Sequence, residues 1–263
     1  AGRHPACGAR RDAEGVRLTT SLSAALGVGP GDIVSIVGAG GKTTTMYRIC
    51  HELRARGVHT VSTTTTAIQR PRPHQSPILL LQDEAPDLLA VTSRALEAHG
   101  HATVVRRARR ADKYEGIDVE TTALLARVAD VIVIEADGAR HARIKAPAEH
   151  EPVVPPQTTV FLSVVGLHAL GHSLRDVCHR PERAARLVNQ PEDSRVSART
   201  MAELLGSPLG GLKGRPPAAR AWALLTHLTA ENEAPARAIA TGLKDSPFAG
   251  VVALSHTQVL PLP

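Results

Sequence analysis

A glycine-rich turn between an apolar run and a helix-forming stretch constrains the fold of this chain more than any other feature. The apolar run covers residues 32–37, and the turn, GAGGKT, covers residues 38–43. Beyond the turn, Met46, Ile49 and Leu53 recur at the spacing of one helix face. Because the backbone N–H groups of such a turn and the positive end of its helix both face an anion, the pattern predicts a phosphate-binding loop.

The residue types in this turn predict how a nucleotide and its metal ion are held. We expect Lys42 to reach the outer phosphates and Thr43 to place its hydroxyl on Mg²⁺, the usual role of the residue after a P-loop lysine. The strict motif G-x-x-x-x-G-K-[ST] is not met, because Ile36 occupies its first glycine position. The shorter form resembles the phosphate loop of Mur ligases and folylpolyglutamate synthases. The loop residues expected to contact nucleotide are Gly38, Ala39, Gly40, Gly41, Lys42, Thr43 and Thr44.

A second apolar run delivers two carboxylates to the same end of the predicted sheet. Residues 131–134 are β-branched, and Glu135, Asp137 and Gly138 follow. The segment resembles a Walker B strand, whose carboxylate holds Mg²⁺ directly or through water. Glu135 and Asp137 are two residues apart and share a face of an extended chain. We therefore expect Lys42, Glu135 and Asp137 to be catalytic, and Thr43, Glu135 and Asp137 to hold the metal; the alternative for either carboxylate is strand capping or an arginine pair.

Strand-like and helix-like segments alternate along the chain. Strands are predicted at residues 32–37, 58–62, 78–81, 103–105, 131–134, 159–165 and, as the last one, 251–254, and helices at 86–98, 119–128 and 181–205, with 221–225 left unassigned. This alternation indicates a doubly wound, mostly parallel α/β sheet of the P-loop NTPase type, with helices on both faces. We expect a flexible extension over residues 1–17 and one domain over 18–263, with a Pro-rich insertion around 139–158 and a partly helical region around 167–217.

Composition limits the partners and the compartment of the protein. Aromatic residues make up only 2% of the chain, which argues against a base-stacking nucleic-acid surface. The net charge of +6 would suit an anionic partner, and a nucleoside triphosphate is sufficient for that role. We interpret the basic run at residues 106–110 as a solvated loop. Three widely spaced cysteines indicate a reducing compartment, and no apolar run approaches the ~20 residues that cross a bilayer. We expect a cytoplasmic protein that binds neither membrane nor nucleic acid.

Several segments taken together resemble the YqeC proteins, a family described as accessory proteins for selenium-dependent molybdenum hydroxylases. The resemblance extends from about residue 22 to residue 212. The matching segments are VGAGGKTT at 37–44, the threonine run at 63–66, EADG at 135–138, KAP at 145–147, HEPVVP at 150–155, VG at 165–166, HR at 179–180 and GLKG at 211–214.

This resemblance implies a nucleotide-dependent step in maturing or inserting the selenium-containing molybdenum cofactor of xanthine dehydrogenase-like enzymes. It adds Thr65 and Thr66 to the expected nucleotide contacts, and a molybdenum hydroxylase or its molybdopterin cofactor to the expected partners. Where many relatives carry a guanine-reading Asn-Lys-x-Asp segment, this chain has THLT at residues 226–229. The nucleotide is therefore ATP or GTP.

The Pro-rich loop after the Walker B-like strand supplies candidates for a second substrate. Loops that leave the carboxyl end of a central strand lie over the cleft and often carry binding groups. We expect Lys145, His150 and Glu151 to line the second-substrate side and to bind an anionic or metal-bearing cofactor; the alternative is a surface crossover braced by prolines.

Three functions are consistent with these residues. The first is an NTPase acting as an accessory protein in cofactor maturation. The second is an ATP-dependent ligase or kinase with a Mur-like phosphate loop, and the third is a nucleotide-gated switch with little turnover. The region after residue 155 is short for the extra domain of a Mur-like ligase, which favours the first function.

Overall fold

The computed structural model describes residues 10–11, 17–18 and 21–263, and these residues form a nine-stranded central sheet. Its strands are β1 Ile33–Gly38, β2 Thr60–Thr64, β3 Leu79–Leu81, β4 His101–Val105, β5 Val131–Glu135, β6 Val160–Gly166, β7 Arg220–Thr226, β8 Phe248–Leu254 and β9 Val259–Leu262. All neighbouring strands pair in parallel except β8 and β9, which are antiparallel.

The strand order places β1, the strand that precedes the glycine-rich loop, at the centre of the sheet. The order is β9-β8-β7-β6-β1-β5-β2-β4-β3, so that β1 lies between β6 and β5. After β1 the chain continues to β2, which lies two positions away in the sheet. The later strands β5 and β6 occupy the positions on either side of β1. Ligands of such sheets bind at the carboxyl ends of the strands where the winding changes direction. The fold class predicted from the sequence, a doubly wound sheet of the P-loop NTPase type, is confirmed.

Helices cover both faces of this sheet. In the described part of the chain they are α1 Leu22–Ala25, α2 Lys42–Arg54, α3 Leu88–His99, α4 Val119–Leu125, α5 Leu174–Val177, α6 Pro181–Leu187, α7 Ala198–Gly206 and α8 Glu233–Gly242. The helices α1 and α2 pack on the face that carries Val34 and Ile36. On the opposite face, α3 and α4 pack against Ile132 and Ile134, and α7 and α8 pack against Leu225. Burial of both faces explains why β5 is continuously apolar up to Glu135.

Three smaller sheets lie outside the central one. Ile144–Lys145 pairs in parallel with Cys178–His179. Lys113–Glu115 pairs antiparallel with both Ala67–Gln69 and Arg107–Arg110. Arg10–Arg11 pairs with Arg17–Leu18, and the rest of the flexible extension expected at residues 1–17 lies outside the described residues.

Four sequence-based assignments change in the structure. The basic run at 106–110 is largely strand, although its side chains are exposed, and the unassigned segment 221–225 belongs to β7. The helix predicted at 181–205 is two helices, α6 and α7. The strand β9 follows the one predicted to be last, and it tolerates Pro261 because it forms the sheet edge. Among the described helices, none has the length and apolar character that a membrane span requires.

Candidate functional site

The loop after β1 packs so closely against β6 that two of its positions require glycine. Gly38 and Gly40 have φ angles of 93° and 85°, in the left-handed region. A Cβ atom on Gly38 would overlap the carbonyl oxygen of Val164, and one on Gly40 would overlap the carbonyl oxygen of Arg143. The loop therefore approaches its neighbours through backbone atoms, which fixes its path at the carboxyl end of the sheet.

The first turn of α2 presents backbone N–H groups at this edge. The first helical hydrogen bond runs from the N–H of Thr45 to the carbonyl of Gly41 at 2.9 Å, so the N–H groups of Lys42, Thr43 and Thr44 precede the hydrogen-bonded ladder. Gly41 has no side chain with which to cap them. The amide of Ala39 points elsewhere, since it donates to Val164 at 2.9 Å. The start of α2 thus has the geometry of an anion site.

Lys42 and Thr43 meet both carboxylates predicted from the sequence. The Nζ atom of Lys42 lies 3.1 Å from Oδ1 of Asp137 and 3.8 Å from Oε1 of Glu135, and it donates to the carbonyl of Gly38 at 2.7 Å. The hydroxyl of Thr43 donates to Oε2 of Glu135 at 2.6 Å. Burial raises the pKa of Glu135, and the neighbouring Lys42 and Thr43 oppose that shift.

The oxygen atoms at this edge suit magnesium. Mg²⁺ prefers hard oxygen ligands and is usually bound by one or two carboxylates together with substrate phosphates. Thr43 and Glu135 place a hydroxyl and a carboxylate oxygen within 2.6 Å of each other, beside the N–H groups that face an anion. The residues present therefore fit a magnesium ion bound with a nucleotide.

Asp137 joins the loop to a buried chain of ion pairs. Its Oδ2 atom accepts from the N–H of Gly38 at 3.1 Å and lies 2.9 Å from Nζ of Lys145. Lys145, whose side chain is 1% exposed, also lies 2.9 Å from Glu151, and Glu151 accepts from Arg180 at 2.7 Å. Burial opposes the charge of Glu151, but Lys145 and Arg180 outweigh it and lower the pKa of Glu151 to about 2.

The loop opens into a cleft of about 830 Å³. The predicted site residues in its lining are Gly40, Gly41, Lys42, Thr43, Thr44, Glu135, His150 and Glu151. Among the described residues, the other predicted ones lie behind or beside it. Gly38, Asp137 and Lys145 border a small cavity of about 20 Å³, and Ala39 is buried. The hydroxyl of Thr65 donates to the carbonyl of Val153 at 2.7 Å, and the N–H of Thr66 donates to Thr64 at 3.1 Å.

Sequence reasoning assigned no role to several residues that border the loop. Thr226, at the end of β7, donates a hydrogen bond to the carbonyl of Gly40. The rings of His168 and His227 lie with their centroids 4.0 Å apart and also line the cleft. Burial, His227 and Arg143 lower the pKa of His168 to about 4. The sequence signals for these residues were their positions just after predicted or unassigned strands and, for Thr226 and His227, their place in the THLT segment.

The cleft lining contains a second set of residues without an assigned role. Arg140 and His141 follow the Walker B-like strand, while His179 ends the short strand that pairs with Ile144–Lys145 and Arg180 follows it. His179 and Arg180 were noted in the sequence only as a matching dipeptide. Arg140 and Arg180 are 40 residues apart in the chain, and their segments are brought together by the pairing of Ile144–Lys145 with Cys178–His179. Residue spacing alone does not reveal this pairing.

Comparison with known proteins places this geometry in a family. A family model described as YqeC protein matches residues 34–182, which include the loop, both carboxylates and Arg180. The Escherichia coli (strain K12) protein described as uncharacterized protein YqeC is 31% identical over 191 residues, which cover 72% of this chain and 73% of that protein.

Two solved structures show a weaker similarity. Chloroplast FtsY from Physcomitrella patens aligns over 90% of this chain with 14% identity and a TM-score of 0.43. FtsY from Mycoplasma mycoides aligns over 84% with 11% identity and a TM-score of 0.32. The chain spans 64% and 51% of these two structures, less than two thirds of either. The family model and the sequence relative carry the assignment: this chain belongs to the YqeC family.

Proposed function

We propose that the protein binds ATP or GTP with Mg²⁺ at the loop after β1 and hydrolyses it. One observation carries the proposal: Lys42 and Thr43, at the start of α2, contact Glu135 and Asp137 at the end of β5. A cation for the outer phosphates, a hydroxyl and carboxylate for the metal, and unpaired helical N–H groups thus share one edge of an open cleft.

The contacts of each side chain indicate its role. Lys42 exchanges its carboxylate partners for phosphate oxygens when the nucleotide enters, because it is the cation nearest to the N–H groups of the loop. Thr43 and Glu135 would hold the Mg²⁺, which supplies charge stabilisation for the transferring phosphoryl group. The alternative role for Glu135 is to position the attacking water instead of the metal. Asp137 holds the loop through the N–H of Gly38.

We further propose that this nucleotide chemistry serves the maturation of the selenium-containing molybdenum cofactor of xanthine dehydrogenase-like hydroxylases. Membership of the YqeC family supports this role. In cells, the Lys42→Ala and Glu135→Gln variants are expected to abolish hydroxylase activity while the hydroxylase polypeptide still accumulates. Full hydroxylase activity with both variants, in cells lacking the parent protein, would contradict the proposed role.

A second candidate function is phosphoryl or nucleotidyl transfer to an acceptor. The extent of the cleft favours it, because the lining continues past Glu135 to Arg140, His150 and Arg180. The products formed from MgATP and MgGTP distinguish the functions. Steady release of phosphate without an acceptor supports the NTPase. Acceptor-dependent formation of nucleoside diphosphate without free phosphate supports phosphoryl transfer, and acceptor-dependent release of pyrophosphate supports nucleotidyl transfer. Tight binding with negligible turnover supports a nucleotide-gated switch.

The metal assignment has its own test. Glu135→Gln and Asp137→Asn are expected to weaken the dependence of nucleotide affinity on Mg²⁺ more than they weaken binding without metal, since a hard cation prefers charged oxygen ligands. Asp137 already contacts the N–H of Gly38 and the Nζ atom of Lys145. Glu135→Gln should therefore reduce the Mg²⁺ dependence of nucleotide affinity more than Asp137→Asn does. Unchanged Mg²⁺ titrations in both variants would remove β5 from the site.

A further inference from the structure

Outside the nucleotide loop, part of the cleft lining consists of cations and imidazoles from three segments of the chain: residues 140–141, residue 150 and residues 179–180. We propose that this surface, formed by Arg140, His141, His150, His179 and Arg180 and called here the acceptor surface, binds a second small-molecule substrate through a phosphate group. The proposal deepens the proposed function and rests on it only in treating this ligand as the partner of a bound nucleotide.

The charge of the cleft calls for a ligand with more than one negative charge. Its lining holds seven Lys and Arg side chains and two carboxylates, Glu135 and Glu151. Both carboxylates already have cationic partners, Lys42 and Arg180 respectively. The seven cations are Lys42, Arg70, Arg72, Arg110, Lys113, Arg140 and Arg180, of which Arg110 also pairs with Asp112 outside the lining at 2.9 Å. A phosphate group carries about −1.5 to −2 near neutral pH and offsets more of this surplus than one carboxylate does.

Backbone conformation is unusual at three residues of the acceptor surface. Among the described residues, five that are not glycine have positive φ, and four of these line the cleft: Arg140 at 47°, His141 at 63° and Arg180 at 67° from the acceptor surface, and His227 at 60°. Such conformations are unfavourable for residues other than glycine and persist where surrounding structure imposes them, often at ligand sites. All four of these residues have basic or imidazole side chains, and all four line the same cleft.

A short strand pair and a chain of ion pairs hold the segments of the acceptor surface in place relative to the nucleotide loop. The pairing of Ile144–Lys145 with Cys178–His179 brings the segments together. Glu151 then holds Arg180 at 2.7 Å and Lys145 at 2.9 Å, and Lys145 holds Asp137. Lys145 and Glu151 are therefore supports of this surface, whereas Arg140 and His141 are exposed and free of the scaffold.

The donor set matches a tetrahedral oxyanion. Arginine guanidinium groups bind phosphate oxygens through two parallel hydrogen bonds, and imidazole N–H groups add single donors. Burial, Arg180 and Lys145 lower the pKa of His179, so this ring is neutral at neutral pH and donates through one nitrogen.

Calorimetry with small phosphate probes tests the proposal. The parent protein is first saturated with Mg²⁺ and AMP-PNP or GMP-PNP, so that the loop after β1 is filled, and is then titrated with phenyl phosphate, inorganic phosphate or benzoate. The same titrations are made on Lys42→Ala without nucleotide. Phenyl phosphate is expected to bind in both backgrounds. Arg140→Asn and His141→Asn should each weaken this binding about tenfold, because a charge-assisted hydrogen bond is lost while asparagine tolerates the left-handed backbone.

The controls separate this proposal from the proposed function. Arg127→Ala removes an exposed arginine outside the cleft and should leave phosphate binding unchanged. Tighter binding of phenyl phosphate than of inorganic phosphate supports an organic phosphate, and equal binding supports recognition of the phosphate group itself. Failure of the nucleotide analogues to bind would refute the proposed function alone, since the Lys42→Ala arm still reports on the acceptor surface. No phosphate binding in either background, unchanged binding in Arg140→Asn and His141→Asn, or benzoate binding as tight as phenyl phosphate would overturn the acceptor proposal.

Discussion

At Gly40, a left-handed backbone and a close contact act on the same residue. A Cβ atom there would overlap backbone atoms of Arg143 and Gly166, and φ is 85°. We predict that Gly40→Ala lowers the free energy of unfolding by more than about 2 kcal/mol and weakens nucleotide binding, because the loop must move away from β6. Chemical denaturation and nucleotide titration measure the two effects.

Gly31 offers a matched control for Gly40. Its φ is 91°, but no atom lies within 4 Å of a Cβ built there. Gly31→Ala should therefore carry only the backbone cost, about 1 kcal/mol, with unchanged nucleotide affinity. Equal losses of stability in Gly31→Ala and Gly40→Ala would show that close packing against β6 does not constrain the loop.

His101 makes the stability of the fold depend on pH in a defined direction. It is buried on β4, its Nε2 atom lies 2.9 Å from the hydroxyl of Ser62, and burial with nearby His51 and Arg54 lowers its pKa to about 3. The unfolded chain, with a pKa near 6.5, binds the proton more readily, so the stability present above about pH 6.5 is lost as the pH falls toward 3.

Unfolding measured between pH 7 and pH 4 tests this assignment. His101→Asn is expected to flatten the decline of stability with falling pH, although it lowers stability at pH 7 by removing a buried side chain. The exposed His99, at the end of α3, provides the comparison, and His99→Asn should keep the parent slope. A parent slope in His101→Asn would mean that other groups control the acid response.

At the scale of elements, the short strand Ile144–Lys145 connects the nucleotide loop with the acceptor surface. Lys145 lies between Asp137 and Glu151 and is 1% exposed. We predict that Lys145→Ala destabilises the protein by about 3 kcal/mol, since it leaves the buried carboxylate of Asp137 and the half-buried carboxylate of Glu151 with fewer partners. Lys244→Ala, at an exposed position after α8, should change stability by less than about 0.5 kcal/mol. Similar unfolding free energies for the two variants would remove the ion-pair chain as a structural support.

Local pattern predicted the elements that hold the nucleotide loop, but not those that surround it. The strands β1 and β5 are long apolar runs next to distinctive polar residues, so the sequence indicated both the strands and the sheet edge they share. The strand β7 was left unassigned because Ala221 and Trp222 show no alternation, and its stability comes from pairing on both sides with β6 and β8. The strand Arg107–Arg110 has no apolar face, and only its pairing with Lys113–Glu115 makes it a strand.

The candidate site also has one part that the sequence predicted and another part that it did not. Spacing predicted that Lys42 and Thr43 lie with Glu135 and Asp137, since each pair ends or follows a strand of one parallel sheet. Spacing did not indicate that Lys145 is buried while Arg180 lines the cleft, because that difference depends on the pairing of two distant segments. Long-range pairing of short strands leaves too little periodicity for a sequence to reveal it.

At the scale of the whole molecule, one cleft joins a phosphate-binding loop to a cationic surface across the carboxyl edge of a doubly wound sheet. The small share of aromatic residues means that aliphatic side chains make up nearly all of the core on both faces. Binding energy at the cleft then comes mainly from charge and backbone donors. We therefore expect nucleotide affinity to fall as ionic strength rises.

The central claim is that Lys42 binds the outer phosphates of a nucleotide at the loop after β1, and calorimetry of the parent and Lys42→Ala with MgATP and MgGTP tests it most directly. We expect the parent to bind at least one of the two nucleotides, EDTA to weaken this binding, and Lys42→Ala to lose it while retaining a cooperative unfolding transition. Binding by folded Lys42→Ala as tight as that of the parent would show that Lys42 does not hold the nucleotide.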